Sequence, residues 1–186
     1  MSIESLQNYV FTSKYSRYIP DKMRRETFEE AVDRVLDMHR RHFAAKGLNI
    51  DDLLAICERG MKQRRMLGSQ RAMQFGGEPI LRKHARIYNC TTSYCDRPRF
   101  FQEALWLLLC GCGVGFSVQK HHVAKLPDIA RPTGPRATFV VPDTIEGWAD
   151  ALGVLLSGYF VSEQPMPEFS GRPVEFDYSQ VRPKGR

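Results

Sequence analysis

Five cysteines, Cys57, Cys90, Cys95, Cys110 and Cys112, are the side chains of this sequence best equipped for chemistry. A thiolate can attack, hold a metal, or give up electrons and end in a disulfide. Cys90 with Cys95 and Cys110 with Cys112 offer four sulfurs, and His121-His122 follow, so a zinc or iron–sulfur site has to be weighed. The spacing is poor for one. A single residue between Cys110 and Cys112, at a helix end, points their side chains apart, whereas structural zinc uses about two to four residues between ligands. No metal site is expected, and Cys110 and Cys112 read as small packing residues. An odd number of cysteines, three of them in apolar segments, also argues against a secreted disulfide framework. His39 and His42, three apart but with no Cys or carboxylate pattern beside them, read as surface or boundary histidines.

The elements around Cys90 must position it. Residues 88–118 form a β-prone segment carrying Cys90, then a helix entered at Arg97-Pro98, then glycines, then a second β-prone segment, Val114 to Val118. Proline suits a helix entry because its φ is already set, and Asp96 is the expected cap. From Phe100 to Leu109 the residues are almost all apolar, which predicts a helix with no wet face. Gly111, Gly113 and Gly115 are expected to stop it and turn the chain with positive φ into the second strand. A parallel strand–helix–strand crossover follows. The glycines do not make a dinucleotide fingerprint, which needs them between strand and helix in that order.

Upstream, the first 20 residues read as an irregular aromatic arm ending at Pro20. Thr27 with Glu30 predicts a capping box opening a helix to about Lys46, with Phe28, Ala31, Val32, Val35, Leu36 and His39 recurring at helical spacing and Gly47 closing it. Asn49 with Asp52 starts an antiparallel partner to about Lys62, its inward side Leu53, Leu54, Cys57 and Met61. Residues 66–80 are a loop-rich connection, where Gly76 and Gly77 would either let a ligand approach the backbone or simply make a turn. Downstream, residues 119–142 form a proline-rich excursion ending in the strand Ala137 to Val141. Asp143 with Glu146 is expected to cap a helix to about Phe160, its core stripe Trp148, Leu152, Leu155 and Leu156. A last short strand spans Val174 to Tyr178.

The chain has 186 residues, 42% hydrophobic and 26% charged, with a formal net charge of +6, ordinary values for a soluble globular protein with a real core. A basic surface attracts phosphates. The basic residues are scattered in small clusters, so nucleotide-phosphate contacts are expected rather than a specific nucleic-acid groove. There is no charged-then-apolar leader, and the longest apolar run is too short to span a bilayer. No membrane partner, a cytoplasmic location and reduced thiols are expected.

A family resemblance becomes specific at Tyr88-Asn89-Cys90, the apolar helix, and Cys110-Gly111-Cys112-Gly113-Val114-Gly115-Phe116-Ser117-Val118. Together they resemble the start of the catalytic barrel of ribonucleotide reductases, closest to the adenosylcobalamin-dependent (class II) type. Four further segments occur in the order that family uses. They are Arg24 to Glu30 with Val32 to His39 behind it, Gln70 to Gly77, Ile145 to Asp150, and Val181 to Gly185. The resemblance runs from about residue 15 to the end of the chain.

That resemblance implies an α/β fold: an N-terminal helical segment with its loop-rich connection (residues 1–80), then the first strands and helices of an incomplete ten-stranded α/β barrel (residues 81–186). It implies reduction of ribonucleotides, triphosphates in particular, to deoxyribonucleotides by thiyl-radical chemistry, a step in DNA precursor synthesis. Cys90 matches one member of the redox-active thiol pair, and Asn89, Gly76, Gly77 and Gly113 fall at substrate-facing positions. The cofactor implied is adenosylcobalamin, bound by the complete enzyme, with a dithiol or thioredoxin-like reductant. The partner thiol and the radical cysteine would lie on a C-terminal remainder, without which this chain is expected to be inactive. A zinc- or nucleic-acid-binding module using the cysteines and the basic surface is the alternative.

Overall fold

The computed structural model of the chain describes residues 2–184; Met1, Gly185 and Arg186, and with them the end of the Val181 to Gly185 segment, lie outside the described residues. The chain divides into two compact units, Met1–Tyr88 and Asn89–Arg186. No helix among the described residues is long and apolar enough to cross a membrane.

The first unit is helical. It opens on α1 (Ile3–Lys14), where an irregular arm was expected, because the Ser2 hydroxyl accepts from the Ser5 amide and caps the helix start. A minimal antiparallel pair, β1 (Tyr18–Ile19) with β2 (Arg24–Arg25), leads to α2 (Phe28–Ala44). Both halves of the Thr27–Glu30 capping box form. Of the face the helical spacing predicts, Ala31, Val32, Val35 and Leu36 are buried and Phe28 and His39 only partly so, while Met38 joins the buried set. Next come α3 (Asp51–Lys62), α4 (Gln70–Phe75) and α5 (Glu78–Arg82). In α3, Leu54 and Met61 turn inward while Leu53 stays 58% exposed, so the inward side is narrower than expected. The Asn49 side chain accepts from the Asp51 amide at the entry to α3. Residues 66–80 are thus mostly short helix rather than loop.

The second unit holds the crossover. Strand β3 (Cys90–Tyr94), helix α6 (Arg99–Leu109) and strand β4 (Gly113–Ser117) follow in order, and the two strands pair in parallel. Two expectations fail within it. Asp96 does not cap α6: Pro98 stands at the cap without a side-chain bond, and Asp96 takes a hydrogen bond from Arg97 instead. And α6 does have an open side, since Leu108 and Leu109 are exposed while Phe100 and Gln102 are buried. Gly111 alone of the three glycines takes a positive φ, +92°; Gly113 and Gly115 lie within β4.

A short helix, α7 (Lys120–Val123), breaks the following excursion before β5 (Ala137–Val140), α8 (Ile145–Ser157) and β6 (Val174–Asp177). β5 and β6 pair in parallel. Thr144, not Asp143, caps α8 by accepting from the Gly147 amide. The buried face of α8 is Gly147, Ala149, Gly153, Val154 and Ser157, so the small residues face inward and Trp148 and Leu155 do not. The reason is close approach. A Cβ on Gly147 would stand 2.3 Å from the Pro142 carbonyl oxygen, and one on Gly153 would stand 2.9 Å from Gln102 Oε1. Through that gap Gln102 of α6 donates to Asp150 of α8 at 2.5 Å.

Candidate functional site

Parallel pairing decides what surrounds Cys90. Side chains alternate along a strand, and residues in register on neighbouring strands share a face. Cys90 pairs with Gly113, Thr92 with Gly115 and Tyr94 with Ser117. On β3 the alternation is sharp: Cys90, Thr92 and Tyr94 are exposed, Thr91 and Ser93 half-buried. The opposite face carries Phe116, whose ring meets Phe100 of α6 at 5.1 Å. Helix α6 therefore backs the sheet, and the cysteine face is left open.

Beside Cys90 the open face carries no side chain. A Cβ built on Gly113 would lie 4.0 Å from the Cys90 Cβ, so the glycine removes the group that would flank the sulfur. The Gly113 amide donates to the Asn89 carbonyl oxygen at 2.8 Å, which ties the backbone before Cys90 to the neighbouring strand. Asn89, Cys90 and Gly113 are thus brought together, all three exposed. A rigid thiol flanked by bare backbone can meet a ring-shaped ligand edge-on without steric conflict.

Gly76 and Gly77 belong to the first unit and have structural reasons of their own. Gly76 is buried, and a Cβ there would stand 2.4 Å from the Ala72 carbonyl oxygen; Gly77 takes φ +94°. Arg34 clamps this turn. It pairs with Glu26 at 2.7 Å and donates to the Gly76 and Met73 carbonyl oxygens at 3.0 and 2.9 Å.

The other cysteines are shielded. Cys95, Cys110 and Cys112 are buried, Cys57 is partly so, and all five remain thiols. Burial pushes the Cys95 thiol pKa up, and neighbouring Asp96 adds to the shift, both disfavouring the reactive thiolate. Among the described residues no group of three or more His, Cys, Asp or Glu is assembled that could hold a metal ion.

At the far end of the same open face His121 and His122, weighed in the sequence only as metal ligands, cluster instead with Tyr94 and Ser117. His122 Nδ1 is 3.0 Å from Ser117 Oγ, and its ring sits 4.5 Å from Tyr94 and 4.0 Å from His121. Desolvation first, then the charge of His121, lowers the His122 pKa. Tyr94 stands four residue steps along the strand from Cys90, about 13 Å, so this cluster cannot exchange a proton directly with the sulfur. The alternation of strand residues was the available signal: once Cys90 is assigned outward, Tyr94 must share its face.

No family model matches the sequence. Over 120 residues the chain is 32% identical to an adenosylcobalamin-dependent ribonucleoside-triphosphate reductase from Euglena gracilis, an alignment covering 59% of this chain and 15% of that protein. Its fold is similar to a crystal structure of a B12-dependent (class II) ribonucleotide reductase with a TM-score of 0.78 at 20% identity, over 96% of this chain and 33% of the other. The chain thus spans 15% of the length of the curated relative it matches. In sequence and in fold alike, this chain is similar to a part of the adenosylcobalamin-dependent, class II ribonucleotide reductases.

Proposed function

We propose that the chain is the N-terminal portion of a ribonucleotide reductase and that Cys90 supplies one of the two thiols whose oxidation reduces the substrate. The observation that carries this reading is the exposed Cys90 at the start of a parallel strand, flanked by Gly113 and backed by α6. In the overall reaction the ribose 2′-hydroxyl leaves as water, a C–H bond replaces the C–O bond, and two thiols give up their hydrogens and electrons to become a disulfide. Cys90, fixed on its strand, would present its proton and sulfur at the ribose face, and Asn89 and Gly113 would shape the approach. The second thiol, the radical cysteine and the remaining strands of a ten-stranded barrel would come from a C-terminal remainder. A thioredoxin-like dithiol would restore the thiols between turnovers. We assign the helical segment to the first compact unit and the first part of the barrel to the second, with residues 81–88, expected in the barrel part, falling in the first unit, in a cytoplasmic enzyme acting on ribonucleoside triphosphates.

Adenosylcobalamin, on which the Euglena gracilis relative depends by name, would supply the radical when bound. We assign its binding to the completed protein.

Exposed edges support the need for a remainder. Among the described residues each sheet of the second unit has two strands, both pairs parallel, whereas parallel sheets are ordinarily covered on both faces. The test is reconstitution. The chain alone, given adenosylcobalamin, a dithiol and a ribonucleoside triphosphate, is expected to form no deoxyribonucleotide, and activity is expected on adding the C-terminal remainder. In the reconstituted protein Cys90→Ser should abolish multiple turnover. Sustained turnover by Cys90→Ser would rule out the assigned role.

A further inference from the structure

The first unit contains a cavity that the reductase reading does not use. Its volume is about 450 Å³, within the range of small-molecule sites. The walls come from α1, the start of α2, the segment after α3, and α4, with Leu6, Val10, Phe11, Phe28, Leu67 and Met73 among the apolar lining. Phe11 and Phe28 meet edge to face at 5.4 Å, leaving an aromatic wall suited to a flat ring.

Arg64 is the one charged residue among those lining the cavity. Its guanidinium lies 5.4 Å over the Phe28 ring and donates to Gln7 Oε1 at 2.8 Å and Asn8 Oδ1 at 2.9 Å. Both acceptors are neutral amides. The cation is therefore oriented but not neutralised, and a guanidinium has more N–H donors than these two bonds use. Its backbone adds a second, independent observation. Arg64 takes φ +56° just beyond the end of α3, where its amide bonds to the Met61 carbonyl oxygen at 2.9 Å and the Arg65 amide to the Gly60 carbonyl oxygen at 2.9 Å. Glycine is the usual occupant of such a helix-ending position. A long cation held there, against backbone preference and over an aromatic wall, marks a side chain kept for what it binds.

We propose that this cavity binds a small aromatic carboxylate, its ring against Phe11 and Phe28 and its carboxylate on Arg64. Arginine matches a carboxylate through paired N–H donors, and the exposed Arg64 guanidinium is open to an incoming ligand. A nucleoside triphosphate is a poor fit, because one guanidinium answers only a fraction of its charge. The site would therefore be separate from the ribonucleotide reduction proposed above and independent of it.

Isothermal titration of the full chain with 2-naphthoate and with its neutral isostere 2-naphthamide tests this. The parent is expected to bind the acid at least about tenfold more tightly than the amide. Arg64→Gly relieves the backbone and should fold at least as well as the parent; Arg64→Asn, also tolerant of this conformation, serves as the second variant. In both, the preference for the acid should vanish while amide affinity stays within about twofold. Three results would each overturn the proposal: no saturable binding of 2-naphthoate by the parent, equal affinity for acid and amide in the parent, or a preference that survives loss of Arg64. The last would place the anion on a cationic group other than Arg64.

Discussion

Cys90 differs from Cys95, Cys110 and Cys112 in access rather than in type: it is exposed where they are buried. Alkylation with iodoacetamide near neutral pH, followed by peptide mass spectrometry, should therefore modify Cys90 first. Cys57, partly buried, should follow, and the three buried thiols should react only as the chain unfolds. Cys95 should be among the slowest, since burial and Asp96 both hold its thiol protonated. Equal labelling of Cys90 and Cys112 in the folded chain would contradict the arrangement. The glycines separate in the same way. Gly113 lies in extended strand with 3.7 Å to its nearest neighbour, the Asn89 carbonyl oxygen, so a side chain fits there. Gly113→Val is expected to change unfolding free energy by no more than about 1 kcal/mol, while impairing turnover in the reconstituted enzyme by crowding Cys90. Gly147→Ala should instead cost about 1–3 kcal/mol, because its Cβ meets the Pro142 carbonyl oxygen at 2.3 Å. Denaturant titration of both variants distinguishes a substrate-facing glycine from a packing glycine.

Helix α2 organises the first unit, and its histidines give that unit a pH dependence. Burial, then the charge of His42, lowers the His39 pKa from 6.5. Desolvation lowers that of His42, with Lys46 and His84 adding to it. In the unfolded chain both imidazoles return to about 6.5. Between the lowered folded values and 6.5 the unfolded state binds more protons, so the stability tied to these neutral rings is complete above that window and is lost as pH falls through it. Thermal melts at about pH 7.5 and pH 5.5 should show a lower midpoint at the acid end. His39→Gln should reduce the difference. A midpoint that rises on acidification would contradict the burial of His39.

At the scale of the whole chain, two parallel two-stranded sheets leave strand edges and apolar residues without cover. Leu108, Phe116, Val118 and Tyr178 are all more than half exposed. Unpaired edges and apolar surface drive association. The chain alone is therefore expected to self-associate as its concentration rises, by size-exclusion chromatography with light scattering, and the C-terminal remainder should suppress this by forming a defined complex. A monodisperse monomer that ignores the remainder would remove the structural basis for a completed barrel.

Much of this was determined by local sequence. The capping box at Thr27, the apolar spacing of α2, and the order strand, helix, strand around Cys90 all follow from interactions between residues a few positions apart, and each appears where its pattern stands. The family likeness was legible for the same reason, because motifs are local strings. Tertiary structure decided what depends on a neighbour distant in the chain. α8 buries its small residues because Gln102 and Pro142 come within 3 Å of where their Cβ atoms would be. The Cys90 face is open because Gly113 falls in register with it, and a one-residue slip would have put Val114 or Cys112 there. Arg64 meets an aromatic wall only because Phe11 and Phe28, distant from it in the chain, line the same cavity. Spacing along one segment cannot report such contacts: they depend on which surfaces meet.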